Sequence, residues 1–531
     1  MKEKFNDIIH SKKIIVILTV ILIILVGVAS TYAWFTWSST NNTSLTMSIG
    51  ELADVNFSTG NDISTNSLSP VFNYTDGEKT TFTIRNKTDT EISYKILLNI
   101  TSIADELKTN SLKYKLLSGN TVVAEGDFSN ITSNSSTSIY NGTLSNGSVS
   151  FTFYLYIDGN EENDLSIMGK SLSGNLMVEE RNPSLDTLNY LNSLNSTITL
   201  ASGTPDFTTV SGSNGKDSNG NTGLGDGTKG VYATQDDLGT SYYFRGAVDN
   251  NYVYFANFYW RIIRINGDGT IRMIYAGTEA HANGEEETDS HIGETLYNQD
   301  YDDNTYVGYM TGIVGASTYE DTHSNSSNST IKEAIDTWYS HNISDTEFEQ
   351  YVEDAIYCND RSITNDDATN TMLKKIEPSW SNTGLGYGSN VTAYVGFKRN
   401  YVDHTPSLLC PNRDDKFTTN KETNLGNGML IYPVALITLD EVAYAGRLAW
   451  NYNTDVYINN TDFYLNTPSY HYWTMTPWAF LGGDYPISDL SGGNYGEGVA
   501  LFNVTARPVL SLNSDAITGG EGTMSNPFTV G

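Results

Sequence analysis

The chain has 531 residues, with 62 acidic against 30 basic side chains and a net charge of -32. That excess excludes a nucleic-acid binder, which must neutralise phosphates with Lys and Arg; it suits a protein that stays soluble outside the cell. The length admits on the order of two to four domains, and 35 Tyr among many Ser, Thr, Asn and Gly predict a mainly β fold with some α.

Lys2, Lys4, Lys12 and Lys13 precede an apolar run from Ile14 to Ala29. A basic flank followed by an apolar stretch is the order that export machinery reads, with the cations left on the cytoplasmic side. Residues 1–37 are therefore expected to be a signal peptide or a membrane anchor, the N-terminal signal or transmembrane helix of the fold. Thr31 and Ala33 are small enough for cleavage at Ala33. Tyr32, Trp34 and Trp37 equally suit an interfacial belt, in which case residues 14–37 hold the chain in the membrane. In either case the remainder faces outward, at the cell membrane or, after cleavage, at the cell surface or beyond it.

Residues 45–180 read as an antiparallel β-sandwich. Its strands are expected at Thr80–Asn86, Glu91–Ile100, Leu112–Leu117 and Val149–Ile157, with a helical turn over Ile103–Leu107. Residues 181–229 are expected to hold one short helix, with Leu185, Leu188, Leu191 and Leu194 on one side, and then a Gly/Ser/Asn-rich linker between two independently folded parts.

Residues 230–531 read as an α+β domain. Tyr259–Ile265 and Thr270–Tyr275 flank Asn266-Gly267-Asp268-Gly269, a strong hairpin signal. Ile331–Tyr339 and Thr346–Tyr357 have helical spacing. Thr438 is placed to cap a helix whose first turn carries Asp440 and Glu441. The last strand is expected over Ala506–Leu512.

Two cysteines, Cys358 and Cys410, favour a disulfide in an exported chain, the alternative being two buried thiols. No cofactor is expected. Calcium is the one ion for which the sequence offers a ligand pattern, Asp300-x-Asp302-x-Asn304, although Thr305 stands where a calcium loop prefers Gly. The scattered histidines lack zinc spacing. Tyr470, Tyr472, Trp473 and Trp478 are candidates for a sugar-stacking face, with Trp473 more readily read as core and Trp478 as the exposed member. No motif for nucleophilic, phosphoryl-transfer or paired-carboxylate catalysis occurs, so no catalytic residue is assigned.

Two resemblances extend this reading. The segment Ser30-Thr31-Tyr32-Ala33-Trp34-Phe35, followed by a Ser/Thr/Asn-rich β domain, resembles the camelysin and TasA-like exported proteins of Gram-positive surfaces. That resemblance implies removal of the leader and, in some relatives, fibres in which an N-terminal strand enters a neighbour. The C-terminal half resembles a surface-domain family of gut Bacilli. It does so through Tyr259–Asn266, Cys358–Ser362, Leu409–Asn412, Tyr432–Glu441, Tyr472–Pro477, Arg507–Leu512 and Gly519–Pro527. The order of Thr438–Glu441, Trp473 and Arg507 is similar to the fold shared by C-type lectins and formylglycine-generating enzymes. The enzyme branch carries its cysteines in the late Trp-rich region, where this chain has none, so the resemblance implies a lectin-like fold without oxidase activity.

The resulting expectation is a bacterial surface binding or adhesion protein, not an enzyme, whose partner is an extracellular glycan or protein. The alternatives are a matrix or fibre subunit and a surface-polymer hydrolase.

Overall fold

Strand pairing follows the alternation read in the sequence. The structure, a computed structural model, describes residues 45–531 except 50–52, 59, 65–69, 89–91, 162–166, 168–169, 218, 286–287, 377, 421–424, 448–459, 468–470, 482–486, 491–496 and 499–502. The expected export segment, the 14–37 span and Ala33 therefore lie outside the described residues. Among the described residues no helix is long and apolar enough to cross a membrane. The chain divides into two units, Met1–Arg181 and Asn182–Gly531.

The first unit is a sandwich of two sheets. One contains β1 (Leu45–Ile49), β2 (Ala53–Phe57), β4 (Pro70–Val71), β5 (Glu78–Asn86), β7 (Leu112–Ser118), β8 (Thr121–Asp127) and β10 (Ser148–Asp158). The other runs β3 (Asp62–Ser64), β11 (Leu172–Glu180), β6 (Ile92–Ile103), β9 (Ser135–Leu144). Successive side chains of a strand point to opposite faces. Accordingly Phe82 and Ile84 of β5, Phe151 and Phe153 of β10, and Ile96 and Leu98 of β6 meet in one buried core. Phe82 faces Phe151 across the ladder, with ring centroids 5.4 Å apart. The four strands expected from sequence are β5, β6, β7 and β10, and the expected helical turn is a short 3-10 helix at Asp105–Leu107. Leu45–Ile49 pairs within its own chain against β2.

The second unit begins at Asn182, which corrects the expected boundary at residue 230. Asn182 caps the helix Pro183–Leu194 by accepting from the Leu185 amide at 3.1 Å. Leu188 and Leu191 face the core of this unit, whereas Leu185 is exposed. The expected linker also belongs to the unit. Val210 and Ile198 join the same core, the Ser211 amide donates to Gly446 O, and Asp226 pairs with the fully buried Arg245. Glycine suits this stretch because the backbones approach closely: a Cβ on Gly225 would stand 1.8 Å from Gly212 O.

A ten-stranded sheet organises the rest. Its centre is β14 (Tyr252–Phe255), β15 (Phe258–Ile265) and β16 (Ile271–Gly277), with β12 (Gly230–Asp236) and β13 (Gly239–Arg245) attached through β15. The β15–β16 hairpin turns where expected. Gly269 takes φ 91°, and a Cβ there would meet Pro183 O at 2.9 Å. Val509–Leu512 pairs with β16 but is not the last strand: Ile517–Gly519 and Phe528–Val530 follow, and the latter lies parallel to β14. Ile331–Tyr339 lies within the helix Thr330–Asn342. Thr346–Tyr357 is not helical. A short 3-10 turn at Glu349–Tyr351 gives way to Val352–Glu353, whose extended backbone pairs with Leu512 and Ser511 at the sheet edge. The helix at Leu439–Ala445 starts as read, with Thr438 and Glu441 forming a reciprocal capping box.

Candidate functional site

The cysteines form a disulfide, Cys358–Cys410, in the second unit. Beside it lies a buried charge network. Glu441 Oε1 is 3.0 Å from Arg264 Nε and 2.7 Å from Arg272 Nε, the second a charge contact rather than an aligned hydrogen bond. Arg264 also reaches Asp236 at 2.6 Å, and Arg399 bridges Asp360 and Asp440. Asp237 joins Lys416 to the Cys410 amide. Burial pushes the Glu441 carboxyl up, but Arg272 and Arg264 outweigh it and hold it below the ordinary glutamate value. The network encloses about 30 Å³, space for one water. Its carboxylates are matched by cations and amides, so it ties the sheet to the Leu439 helix.

The aromatic candidates do not make a surface. Trp473 is fully buried, donates its indole N–H to Thr295 O at 2.9 Å and packs edge-on against Tyr297. Trp478 is buried between Phe397 and Tyr401, and Tyr472 is buried beneath Arg507. These three are core: Tyr472 and Trp473 lie in the strand Tyr472–Pro477, which is buried along its whole length, and Trp478, just after it, joins a buried cluster with Phe397 and Tyr401. Tyr470 lies outside the described residues.

Of the triplet Asp300, Asp302 and Asn304, the last is already engaged within the fold. Asn304 is buried with its amide donating to Gly388 O and Asn390 O, and its Oδ1 accepts from Tyr394 at 2.7 Å. Among the described residues no group of three or more His, Cys, Asp or Glu side chains is placed to hold a metal ion. Asp303, which the pattern skips, accepts from the Thr305 and Gly315 amides and so shapes the loop.

A groove elsewhere on the second unit has the make-up of a binding site. One wall is the helix Thr330–Asn342. Thr330, Ala334 and Trp338 lie four residues apart, so they stack along one side of it. The opposite wall is the extended segment from Ile292 to Thr295, held by Ala506 at 2.9 Å and 3.0 Å. The space is about 480 Å³. Trp338 is half-buried, and its inner side rests on Phe258, Trp260 and Tyr275 at centroid distances of 5.5, 6.0 and 5.6 Å. Small Ala334 leaves room beside the indole, while the exposed carboxylates Glu294 and Glu333 stand at the rim with Thr337. The groove thus pairs an aromatic wall anchored from behind with hydrogen-bonding groups at its edge. The sequence signal was present but unread: a Trp at the flank of the Ile331/Ile335/Tyr339 stripe, in line with small residues at four-residue spacing.

No family model matches the chain, and no curated protein matches it. Among solved structures it is similar to a Podospora anserina GH26-CBM35 β-(1,4)-mannanase, with 13% identity over 32% of this chain and 37% of that one, at TM-score 0.15. A ruminal GH26 endo-β-1,4-mannanase matches at 9% identity over 34% and 35% of the two chains, at TM-score 0.13. The CBM51-2 (in complex with GlcNAc) and INT domains of Clostridium perfringens ZmpB match at 11% identity over 32% and 36%, at TM-score 0.11. The chain spans about a third of the length of each. At these scores the likeness establishes neither a shared fold nor a shared ligand.

Proposed function

We propose that this chain is a surface-exposed binding protein whose second unit is a lectin-like α+β domain, and that the Trp338 groove receives a sugar ring. The groove's composition carries the reading. A pyranose offers an apolar C–H face to an aromatic ring and hydroxyls to carboxylates and threonines, and Trp338, Glu294, Glu333 and Thr337 supply those partners along one groove. Three features support the lectin-like fold. Thr438 and Glu441 start a helix, Trp473 is a core residue, and Arg507 donates to Tyr275 O just before the strand Val509–Leu512, in the chain order that the resemblance requires. The basic and apolar opening of the chain and the disulfide support export.

The test is a glycan array followed by titration calorimetry on the purified protein and its Trp338→Ala variant. Binding that disappears with the indole supports the reading. Silence across plant, bacterial and mucin glycans defeats it, and binding indifferent to Trp338 moves the site elsewhere.

A further inference from the structure

The charge on the walls of the Trp338 groove narrows the sugar that fits it. Glu294 belongs to the short strand Glu294–Thr295, which pairs with Thr505 and Val504 on one wall. Glu333 sits in the first turn of the helix Thr330–Asn342 on the other wall. It lies three residues after Thr330 and four before Thr337, so these side chains are neighbours on the helix surface. Both carboxylates are exposed, and the described residues that line the groove include no cation.

The cations nearby are committed elsewhere. Lys332 is fully buried and holds Asp336 at 2.6 Å within the helix. Arg507 is buried and donates to Tyr275 O and Leu465 O. His291 Nδ1 accepts from the Gly293 amide at 3.1 Å, so that nitrogen carries no proton and the ring is neutral. Burial first, and then the Arg507 charge, lower the His291 pKa, which keeps the ring neutral at neutral pH. The positive end of the helix is used as well. The Ile331 amide donates to Tyr297 O and the Lys332 amide to Ser329 Oγ, while Glu333 places its own negative charge in the first turn.

These charges rank the ligands. A uronate, a sialate or a sulfated sugar would bring a further anion beside Glu294 and Glu333. A neutral sugar would donate hydroxyls to them and leave both charges unopposed. A protonated amine on the ring does two things at once: it donates up to three N–H groups and it neutralises charge. The indole of Trp338 favours it too, because Trp attracts a cation more strongly than Tyr or Phe.

We infer that the Trp338 groove selects an amino sugar with a free, protonated amine, a glucosamine-type unit, over neutral, N-acetylated and acidic sugars; this rests on the groove's being a sugar site and specifies the charge of its ligand.

The experiment is titration calorimetry on the purified protein, at neutral pH and low salt, with four methyl glycosides of one ring. These are the glucosaminide, the glucoside, the N-acetylglucosaminide and the glucuronide. The glucosaminide is expected to bind at least about threefold tighter than the glucoside or the N-acetylglucosaminide, the scale that exposed charge contacts allow. The glucuronide should bind most weakly. Added salt should shrink the preference, because it screens exposed charges. In the double variant Glu294→Gln/Glu333→Gln the ratio of glucosaminide to glucoside affinity should fall to about one, whatever happens to each affinity. Glucoside binding that needs Trp338 but gains nothing from the amine overturns the inference and leaves the groove a neutral-sugar site. A preference for the amine that survives the double variant also overturns it, since the carboxylates would not be its cause. Nα-acetyl-lysine amide binding as tightly as the glucosaminide would show an amine site without sugar recognition, and both readings would fall. Silence from all four glycosides overturns the inference, while the glycan array decides the groove separately.

Discussion

Glu441 joins two tasks through Arg264: its Oε1 lies 3.0 Å from Arg264 Nε while its Oε2 accepts from the Thr438 amide at 2.9 Å. One carboxylate thus starts a helix and neutralises a buried cation. Removing one partner of a buried pair leaves the other charged and desolvated. Glu441→Gln should therefore lower unfolding free energy by about 3–5 kcal/mol, read as a shift in the urea midpoint. Glu441→Ala should cost about 1 kcal/mol more through loss of the cap. A midpoint unchanged in Glu441→Gln would show that Arg264 and Arg272 do not depend on it.

Stability should fall as the solution is acidified below neutrality. Burial lowers the pKa of His323, His404 and His291 in the folded chain, so the unfolded chain binds protons there first. Such groups contribute stability that is complete above the ordinary histidine value of 6.5 and is lost as pH drops below it. Each contributes a slope of up to about 1.4 kcal/mol per pH unit until its folded form titrates. Thermal melts between pH 7.5 and 5 should show the decline, flattened in His323→Phe. Glu441 adds a second loss below its ordinary value of 4.5, with the same sign. Melts indifferent to pH from 7.5 to 5 would remove the histidine argument.

The boundary between units can be tested by truncation. A fragment spanning 182–531 keeps the buried Leu188, Leu191, Ile198 and Val210, and one spanning 230–531 loses all four. Burying such side chains stabilises by about 1.5–3 kcal/mol each, so their loss is comparable to the whole stability of a domain, roughly 5–15 kcal/mol. The longer fragment should melt cooperatively. The shorter should be unfolded or aggregated, and equal melting of the two would restore residue 230 as the boundary.

Breaking the disulfide removes a crosslink between residues separated by 52 positions. On the chain-entropy relation this costs about 4 kcal/mol. The paired Cys358→Ala/Cys410→Ala variant should show that loss in denaturant, and mild reduction of the native protein should reproduce it. A loss below about 1 kcal/mol would mean that the neighbouring charge network already restrains the loop.

Trp338 should separate binding from folding. Its inner side belongs to an aromatic cluster, so Trp338→Ala should lower the melting temperature as well as weaken glycan binding by at least about tenfold. Glu333→Gln keeps the shape and should weaken binding with little effect on melting, because Glu333 is exposed. If Glu333→Gln and Glu294→Gln both bind as the native protein does, the rim makes no contact with the ligand.

Features written within a few residues were legible. The Asn266–Gly269 turn, the Thr438–Glu441 cap and the alternation of β5 and β10 each depend on spacing along one element. The binding face was less so. Trp473 is core, as its sequence reading favours, but so is Trp478, which reads as the more exposed of the two, while Trp338 lies within the Ile331–Tyr339 helical segment and lines the groove. Nothing in the immediate sequence of Trp473 announces Thr295 O as its partner, 178 positions away.

The sequence by itself determined the β periodicity, the hairpin, the helix cap and the two cysteines available to pair, because each follows from local geometry or simple count. Only the tertiary structure decided that residues 182–229 belong to the second unit, that Asn304 is spent on Tyr394, and that Trp338 faces a groove. Burial is a property of what the distant chain places against a side chain, and no local pattern carries that information.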